Sequence, residues 1–189
     1  MLNHISTRVI DTERLLLRRF QYDDSDAMLK NWAGDEKIQS MYCEPVYTTF
    51  EEVRQLLNRY IQNYLHDDYY RWAIIDKNTL ECIGQIAFFL IDSHNHFAEI
   101  EYCIGSQFHR QGLATEATKA VIDFGFQKIR LHKIQICTKT INKASLRVIE
   151  KCGFVYEGTL RDYFYINDEY VGRMYFSMLD SEYHEKTES

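Results

Sequence analysis

The chain has 189 residues, which corresponds to one domain at roughly 150 residues per domain, so we expect residues 1–189 to form a single domain. Its 22 Lys and Arg residues are outnumbered by 28 Asp and Glu residues, and the net charge of −6 disfavours nucleic acid as the main partner, because phosphate binding requires a basic face. The longest apolar run, residues 86–91, is far shorter than the ~20 residues of a membrane-spanning helix and excludes a transmembrane protein.

The N-terminus and the cysteines indicate the compartment. The first residues contain no basic region followed by an apolar stretch, so we expect no secretory signal and a cytoplasmic location. The five cysteines are scattered and include no C-x-x-C pair, a distribution that favours reduced thiols over a disulfide framework or a zinc site. We expect most of them to be small core residues.

The first third of the chain predicts one strand followed by helices. Residues 14–20 have the composition of a strand, and residues 23–25 are candidate caps for a helix that reaches about Trp32. Thr49 and Glu52 have the spacing of a capping box at the start of an amphipathic helix. The apolar positions of that helix are Val53, Leu56, Leu57 and Tyr60.

The middle of the chain predicts antiparallel strands and then a helix. Residues 71–76 and 81–91 are rich in β-forming residues and flank a turn-like segment, which indicates a hairpin, and residues 96–104 follow as a third antiparallel strand. A helix is expected to begin just after Gly112, and a further short strand covers residues 133–138. The buried stripe of that helix is formed by Ala114, Ala117, Val121 and Phe124.

The last third predicts a capped helix and a hairpin. Asn142 is suited to cap a helix that Gly153 ends in a left-handed conformation. Two final strands, residues 155–165 and 169–178, are joined by a hairpin turn at residues 167–168. These elements together predict an α/β chain with a mixed sheet and helices on its faces.

The segment 104–117 is the most informative for function. A strand ends in a loop, Gly112 lets the backbone approach a ligand closely, and a helix begins at once. Amide N–H groups at the start of such a helix are unpaired and lie at the positive end of its dipole, which suits a pyrophosphate. Arg110 adds a cation at the rim. An ordinary turn is the alternative, because the segment is neither a P-loop nor a G-x-G-x-x-G motif.

A second segment, residues 142–154, begins 30 residues after Gly112. Together the two segments resemble the GNAT family of acetyl-coenzyme A dependent N-acetyltransferases, specifically its ribosomal-protein and spermidine acetyltransferase branch. The resemblance covers nearly the whole chain, including residues 11–15, 98–102 and 165–170. It implies the GNAT (acyl-CoA N-acyltransferase) fold, in which a central, twisted, mostly antiparallel sheet has helices on both faces, and it implies acetyl-CoA as the cofactor.

The resemblance also implies where coenzyme A binds. The family's pyrophosphate loop, R/Q-x-x-G-x-G/A, matches residues 109–114, with His109 where the pattern has Arg or Gln; the departure is mild because backbone amides make most of that contact. In the family, the strand before this loop diverges from its neighbour and pairs with the pantetheine arm. Asn142 resembles the Asn that binds the pantetheine, which is compatible with a role as helix cap. The implied cofactor-binding residues are Tyr102, Cys103, Ile104, His109, Arg110, Gln111, Gly112, Leu113, Ala114, Thr115, Asn142 and Ser145.

Acetyl transfer to an amine sets three requirements for the site. It must accept a proton from an ammonium, stabilise the developing oxyanion and let a thiolate leave. Because a thiol titrates near ~8.5, a hydrogen-bond donor is sufficient help for the leaving group. Many relatives have a Tyr for that purpose at the position of Ile149, which cannot donate. Ser145 resembles the serine of the ribosomal-protein branch and is the candidate donor, the alternative being a solvent-facing helix serine.

Glu99 and Glu101 are the candidates for the general base. They alternate onto the same face of the strand that leads into the site. A carboxylate there can accept a proton directly or through water, and it attracts a cationic amine. For each glutamate, the alternative is a structural partnership with an Arg or a helix end.

Two further groups of residues need an interpretation. His94 and His96 form an H-x-H pattern, but no further ligands follow at a set spacing, so we interpret them as part of a polar loop and expect no metal. Five tyrosines are candidates to line an acceptor pocket between the early helices and the sheet. They are Tyr42, Tyr47, Tyr64, Tyr69 and Tyr70.

The sequence therefore predicts an N-acetyltransferase that transfers an acetyl group from acetyl-CoA to a primary amine. The acceptor stays open between a protein N-terminal amine, a polyamine and another small amine. The acidic composition favours a cationic acceptor, whereas Ser145 favours the protein-acetylating branch and Ile149 disfavours spermidine acetyltransferase. The alternatives are a non-catalytic coenzyme A binding or sensing module and a structural α/β domain without a cofactor. Because family members often pair, a homodimer is a further expectation.

Overall fold

Within residues 1–187, which the structure describes, a computed structural model shows a mixed β-sheet of eight strands. The strands are β1 (Ile10–Asp11), β2 (Leu15–Arg18), β3 (Tyr70–Asp76), β4 (Cys82–Asp92), β5 (Phe97–Ile104), β6 (Lys133–Lys139), β7 (Val155–Ile166) and β8 (Glu169–Leu179). Their spatial order is β1-β2-β3-β4-β5-β6-β8-β7. Neighbouring strands are antiparallel except for the parallel pair β5 and β6, so the predicted mixed, mostly antiparallel sheet is confirmed.

Helical segments connect the strands. The α-helices are α1 (Ser25–Met28), α2 (Glu36–Tyr42), α3 (Phe50–Asn63), α4 (Leu113–Phe124), α5 (Lys143–Cys152) and α6 (Asp180–Thr187). Short 3-10 turns cover Tyr22–Asp24 and Ser106–Phe108, and π-helical turns at Leu29–Ala33 and Gly125–Ile129 prolong α1 and α4. None of the helices in residues 1–187 has the length and apolar character needed to cross a bilayer.

The two faces of the sheet bury two separate apolar clusters. Along β3, Tyr70, Trp72 and Ile74 belong to one cluster, whereas Ala73 and Ile75 belong to the other, as the alternation of side chains along a strand requires. The first cluster contains residues of α4, α5 and α6, and the second contains residues of α1, α2 and α3. Helices therefore cover both faces, as predicted.

Local geometry confirms the predicted caps of α3 and α5 and the turn before β8, whereas the cap predicted at residues 23–25 is wrong, because no side chain there accepts a hydrogen bond from the start of α1. The Thr49 side chain accepts a hydrogen bond from the Glu52 amide and the Glu52 side chain accepts one in return, which completes the capping box of α3. Asn142 caps α5, and Gly153 ends that helix with a φ of 83°. Residues 167–168 form the turn between β7 and β8 with φ values of 50° and 63°, both in the left-handed region.

The cysteines behave as the sequence predicts. All five are free thiols, and Cys82, Cys103 and Cys152 are buried, while Cys137 is half-buried and Cys43 is exposed. Within residues 1–187, no three His, Cys, Asp or Glu side chains come together in a way that could hold a metal ion.

Three elements were not predicted, namely β1, α2 and α6. Of these, α2 matters for function because its C-terminal turn lies near the site. Asp35 caps this helix by accepting hydrogen bonds from the amides of Lys37 (2.9 Å) and Ile38 (3.2 Å). The helix is only seven residues long, and Ile38 is its one buried apolar side chain, so no helical periodicity marks it in the sequence.

Candidate active site

A gap opens between β5 and β6 in the middle of the sheet. The two parallel strands are paired over four positions, from Phe97 and Lys133 to Ile100 and Ile136. Beyond that point β5 continues to Ile104 while paired with β4, and β6 continues to Lys139 while paired with β8. The two edges that face each other across the gap are therefore free to pair with an extended ligand as if it were an added strand.

The loop that follows β5 presents a row of unpaired amides. None of the six N–H groups from Arg110 to Thr115 has a hydrogen-bond acceptor within residues 1–187, and the first helical bond of α4 runs from the Glu116 amide to the Gly112 carbonyl (3.0 Å). Gly112 has a φ of 80°, a conformation that favours glycine. Unpaired amides at the positive end of a helix form an anion site, so the geometry suits a pyrophosphate.

This loop is fastened to the turn between β1 and β2 by an interaction that the sequence analysis missed. The Glu116 carboxylate accepts hydrogen bonds from Thr12 Oγ1 (2.7 Å), Arg14 N (2.8 Å) and Arg14 Nε (2.7 Å). Arg14 Nη1 in turn donates to the Gln111 carbonyl (2.8 Å), in the centre of the loop. Burial opposes ionisation of Glu116, but these hydrogen bonds prevail and lower its pKa. The clamp holds the loop backbone in place while its amides stay free.

His109 has a structural contact of its own. Its Nε2 atom lies 2.8 Å from the Ile104 carbonyl oxygen, so the imidazole folds back onto the end of β5. Arg110 follows with a φ of 63° and is exposed. His109, which replaces the Arg or Gln of the general family pattern, therefore supports the turn between β5 and the loop. The unpaired amides begin directly after it, at Arg110.

At the N-terminus of α5 the structure brings together three of the predicted residues. The Tyr102 hydroxyl donates to Ser145 Oγ (3.2 Å), and the Ser145 amide donates to Asn142 Oδ1 (3.1 Å). Burial raises the pKa of Tyr102, so its hydroxyl stays protonated. Ile149, one turn further along α5, is fully buried in the core.

Both candidate bases lie on the predicted face of β5, and each has an arginine partner. Glu99 is 3% exposed and accepts hydrogen bonds from Arg173 Nη2 (3.0 Å) and Gln135 Nε2 (2.7 Å). The Glu101 side chain is 22% exposed and accepts from Arg71 Nη2 at 2.5 Å. The predicted alternative, a partnership with an arginine, is therefore confirmed for both residues. Glu101 is the more accessible of the two carboxylates.

Comparison with known proteins decides the family. The sequence profile of the acetyltransferase (GNAT) domain matches residues 14–155. The chain belongs to the GNAT acetyltransferase family. It is 33% identical over 172 residues to the uncharacterized N-acetyltransferase p20 of Bacillus licheniformis, covering 91% of this chain and 96% of that protein. It is 29% identical over 177 residues to the spermidine N(1)-acetyltransferase of Vibrio cholerae, covering 93% of this chain and 98% of that protein.

Solved structures agree with this GNAT assignment. The spermidine N-acetyltransferase of Vibrio cholerae in complex with CoA and spermine superposes with a TM-score of 0.79 at 27% identity, covering 92% of this chain and 99% of that chain. The ribosomal-protein-S5-alanine acetyltransferase of Vibrio fischeri has the same fold, with a TM-score of 0.79 at 22% identity, covering 93% of this chain and 98% of that chain. The protein is therefore an acetyl-CoA-dependent N-acetyltransferase with the GNAT fold, and the catalytic interpretation is favoured over a non-catalytic module.

The tyrosines predicted for the acceptor side of this GNAT enzyme divide into two groups. Tyr42, Tyr47 and Tyr69 pack against the cluster under α1, α2 and α3, on the same face as Glu101. The prediction for Tyr70 is wrong: its side chain points to the opposite face, where it is fully buried in the other cluster and stacks on Trp72 with ring centroids 6.1 Å apart. The register of β3 separates it from the others, since neighbouring residues on a strand face opposite sides.

Two other tyrosines on this side make structural contacts that the sequence did not predict. The Tyr64 hydroxyl accepts from the Phe20 amide (2.9 Å) and donates to the Arg71 carbonyl (2.9 Å), so it has a structural task. Tyr60 was predicted only as part of a helix stripe, yet its ring lies under the Arg71 guanidinium at 4.4 Å. A tyrosine on α3 therefore helps to hold the arginine that pairs with Glu101.

Proposed function

We propose that this GNAT enzyme binds acetyl-CoA along the gap between β5 and β6 and transfers the acetyl group to a primary amine by direct attack, the acceptor being a protein N-terminal amine or a small amine. The observation that carries the proposal is the row of six unpaired amides, Arg110 to Thr115, directly after the strand whose edge is free. Relatives named for spermidine and for a ribosomal protein support an amine acceptor. We further propose that residues 1–189 act as one domain, and the five free thiols support a cytoplasmic location.

The cofactor contacts follow from this arrangement. The amides of residues 110–115 bind the pyrophosphate, and the backbone of residues 102–104 pairs with the pantetheine arm. Asn142 Oδ1 accepts a hydrogen bond from the Ser145 backbone amide. The side-chain nitrogen Nδ2 of Asn142 is therefore the atom that donates to the pantetheine. His109 acts through the turn that it stabilises.

The two glutamates have different proposed roles. The Glu101 side chain is partly exposed and faces the acceptor side, so it accepts the proton from the attacking ammonium, directly or through water. Glu99 is nearly completely buried with two donors on its carboxylate, so it contributes a fixed negative charge beside the gap. Mutation of Glu99 and Glu101 tests both assigned roles.

A hydrogen-bond relay assists the leaving group. Ser145 Oγ accepts a hydrogen bond from the Tyr102 hydroxyl, so the hydroxyl proton of Ser145 itself is free to point toward the sulfur of coenzyme A. The relay replaces the phenol that Ile149 cannot supply. Burial, together with the Glu99 carboxylate, raises the pKa of the Cys137 thiol to about 12, so this cysteine is protonated at neutral pH and unsuited to form an acyl-enzyme. The protonated Cys137 thiol therefore does not compete with direct attack by the amine.

A homodimer is also part of the proposal. β7 is the last strand of the sheet, so its outer edge has no partner strand among residues 1–187. This strand exposes several large side chains, which are Val155, Tyr156, Leu160, Tyr163 and Tyr165. An unpaired strand edge that carries exposed large side chains is suited to pair with another chain, so a second copy is the expected occupant. Light scattering of the purified protein tests the assignment: a dimer that Tyr165→Glu dissociates supports it, and a monomeric wild type refutes it.

Acetyl transfer is tested by measuring thiol release from acetyl-CoA with a panel of primary amines. The double change Glu99→Gln and Glu101→Gln is expected to lower kcat by about 100-fold, in the range of general-base catalysis, with little change in acetyl-CoA affinity. Glu150→Gln is the matched control, because that carboxylate is exposed on α5. A double variant with wild-type kcat on an amine that the wild type acetylates would refute the assigned roles.

A further inference from the structure

Lys139, at the end of β6, is a buried cation that forms no ion pair with the described residues 1–187. The residue is 4% exposed. Its Nζ atom donates to the Ser40 carbonyl and lies 4.8 Å from the centre of the Phe164 ring, and no carboxylate within residues 1–187 forms an ion pair with it. An ammonium has three N–H donors, of which this contact uses one. Burying a charge without a counter-ion is costly, so the site has capacity for an anionic group.

A second cation lies beside it. Arg173 is directly opposite Lys139 in the ladder between β6 and β8, so both side chains project from the same face. Arg173 uses Nη2 for Glu99 (3.0 Å) and for Cys137 Sγ (2.9 Å), and Nη1 for the Tyr163 hydroxyl (3.1 Å). Its Nε atom is buried and has no hydrogen-bond partner in the part of the chain that the structure describes. Of the two neighbouring cations, Arg173 pairs with the Glu99 carboxylate and Lys139 with none within residues 1–187, and one buried donor of Arg173 is unused.

This cation pair lies on the acceptor side of the gap. Lys139 is three residues past Ile136, the last position of β6 that pairs with β5, which corresponds to about 10 Å along the strand. The C-terminal turn of α2 crosses above the gap, because its Ser40 carbonyl contacts Lys139 on β6 while the Tyr42 hydroxyl accepts from Gln85 on β4 (3.2 Å). Gln85 also accepts from Arg71 (3.0 Å), the partner of Glu101. The cation pair and the proposed base thus lie beneath the same helix end.

We propose that the acceptor of this enzyme is a primary amine that carries a carboxylate, and that Lys139 and Arg173 bind this carboxylate while the amine faces Glu101. The inference rests on the proposed acetyl transfer. The carboxylate comes from one of two sources, a free amino acid or an acidic residue next to a peptide N-terminus. A polyamine is a poor fit, since its second ammonium would meet the cation pair in a desolvated site.

A purely structural task for Lys139 makes a different prediction. The Ser40 carbonyl is in the last turn of α2, where a cation is favourable, so Lys139 also stabilises that helix end. If this were its whole contribution, replacing Lys139 would affect all acceptors alike. Binding of an acceptor carboxylate instead requires that the loss depend on the charge of the acceptor.

The experiment compares matched acceptors in the wild type. The pairs are alanine against alaninamide, and two tripeptide amides with glutamate or glutamine as the second residue; 1,4-diaminobutane represents polyamines. We expect the carboxylate member of one pair to have a kcat/KM at least about tenfold higher than its neutral match, which is the size of effect for a desolvated charge pair. The alanine pair supports a free amino acid, and the tripeptide pair supports a peptide terminus.

Variants then locate the preference. Lys139→Met should reduce it to about twofold or less through KM, with unchanged acetyl-CoA affinity, and Lys139→Arg should restore most of it. Lys133→Met is the matched control on the same strand, because Lys133 is paired with Glu157 (2.9 Å) at the other end of β6. If Lys139→Met fails to fold, competition by propionate, a carboxylate without an amine, tests the site in the wild type, where it should raise KM for the acceptor.

Several results would overturn the inference. These are a wild type that prefers the diamine or the neutral acceptors, a Lys139→Met variant that loses activity on all acceptors equally, and an enzyme that binds acetyl-CoA but acetylates no carboxylate-bearing amine. In the folding-failure case, absence of competition by propionate has the same meaning. Failure to bind acetyl-CoA in a separate titration refutes the proposed function itself, so the two failures are distinguishable.

Discussion

The clamp on the cofactor loop gives a prediction for both stability and cofactor binding. In Glu116→Gln, the side chain keeps one carbonyl oxygen but loses its charge, and its new NH2 group faces the donors of Arg14 and Thr12. A hydrogen bond to a charged group contributes about 1.5–3 kcal/mol. The Arg14 side chain is 40% exposed, so solvent screens its part and we take about 2 kcal/mol for the whole change.

This free energy converts to a measurable shift. At about 2.1 cal/mol/K per residue, 189 residues give an unfolding entropy of roughly 0.4 kcal/mol/K, so the expected loss in Tm is about 5 °C at pH 7. Acetyl-CoA affinity should also fall several-fold, because Arg14 no longer fixes the Gln111 carbonyl of the loop. Thermal unfolding and calorimetric titration measure the two effects, and Glu150→Gln, an exposed charge on α5, is the control.

The pH dependence gives the sign of the effect. The folded-state pKa of Glu116 is lowered below the ordinary glutamate value of 4.5, so its stabilisation is fully present above that value and is lost as the pH falls through the folded-state pKa. The Tm difference between wild type and Glu116→Gln should therefore be constant near neutral pH and shrink in acid below about pH 4.5. An unchanged Tm at pH 7, or a difference that grows in acid, would refute the reasoning.

Further predictions concern the relay and the core. Ser145→Ala should lower kcat about 10- to 100-fold with near-normal acetyl-CoA affinity, and Tyr102→Phe should have a smaller effect because it only orients that hydroxyl; an effect on KM for acetyl-CoA alone would contradict the relay. Gly125→Ala should lower stability by about 1–3 kcal/mol in thermal unfolding, since an added Cβ would lie 2.8 Å from Ile134 Cδ1 and 2.9 Å from Phe88 Cζ; wild-type stability would show that the core repacks freely.

Local signals explain why most elements could be predicted from the sequence. The capping box of Thr49 and Glu52 and the left-handed Gly153 depend on a few neighbouring residues, and the structure confirms both. The unpaired amides around Gly112 follow from the same local logic, because a glycine turn runs directly into a helix. In contrast, α2 is short and has one buried apolar residue, so only the Asp35 cap could have revealed it.

The partners of the site residues could not be predicted, because they depend on strand order. Arg71 meets Glu101 only because β3 lies beside β4 and β4 lies beside β5, and Arg173 reaches Glu99 across β6 from β8. These pairs are 30 and 74 residues apart in the chain. Tyr70 was misplaced for a related reason, since its face is set by the register of β3 rather than by the composition of its neighbours.

The central claim is that acetyl-CoA binds through the amides of residues 110–115 around Gly112, and calorimetric titration tests it most directly. Gly112→Trp places a bulky side chain where the backbone is open and has a φ of 80°, whereas Gly158→Trp is the control at a position with no atom within 4 Å of an added Cβ. Once both variants are shown to be folded, the account predicts micromolar or tighter binding to the wild type and to Gly158→Trp, and none to Gly112→Trp. Binding of equal strength to Gly112→Trp, or no binding to the wild type, would contradict it.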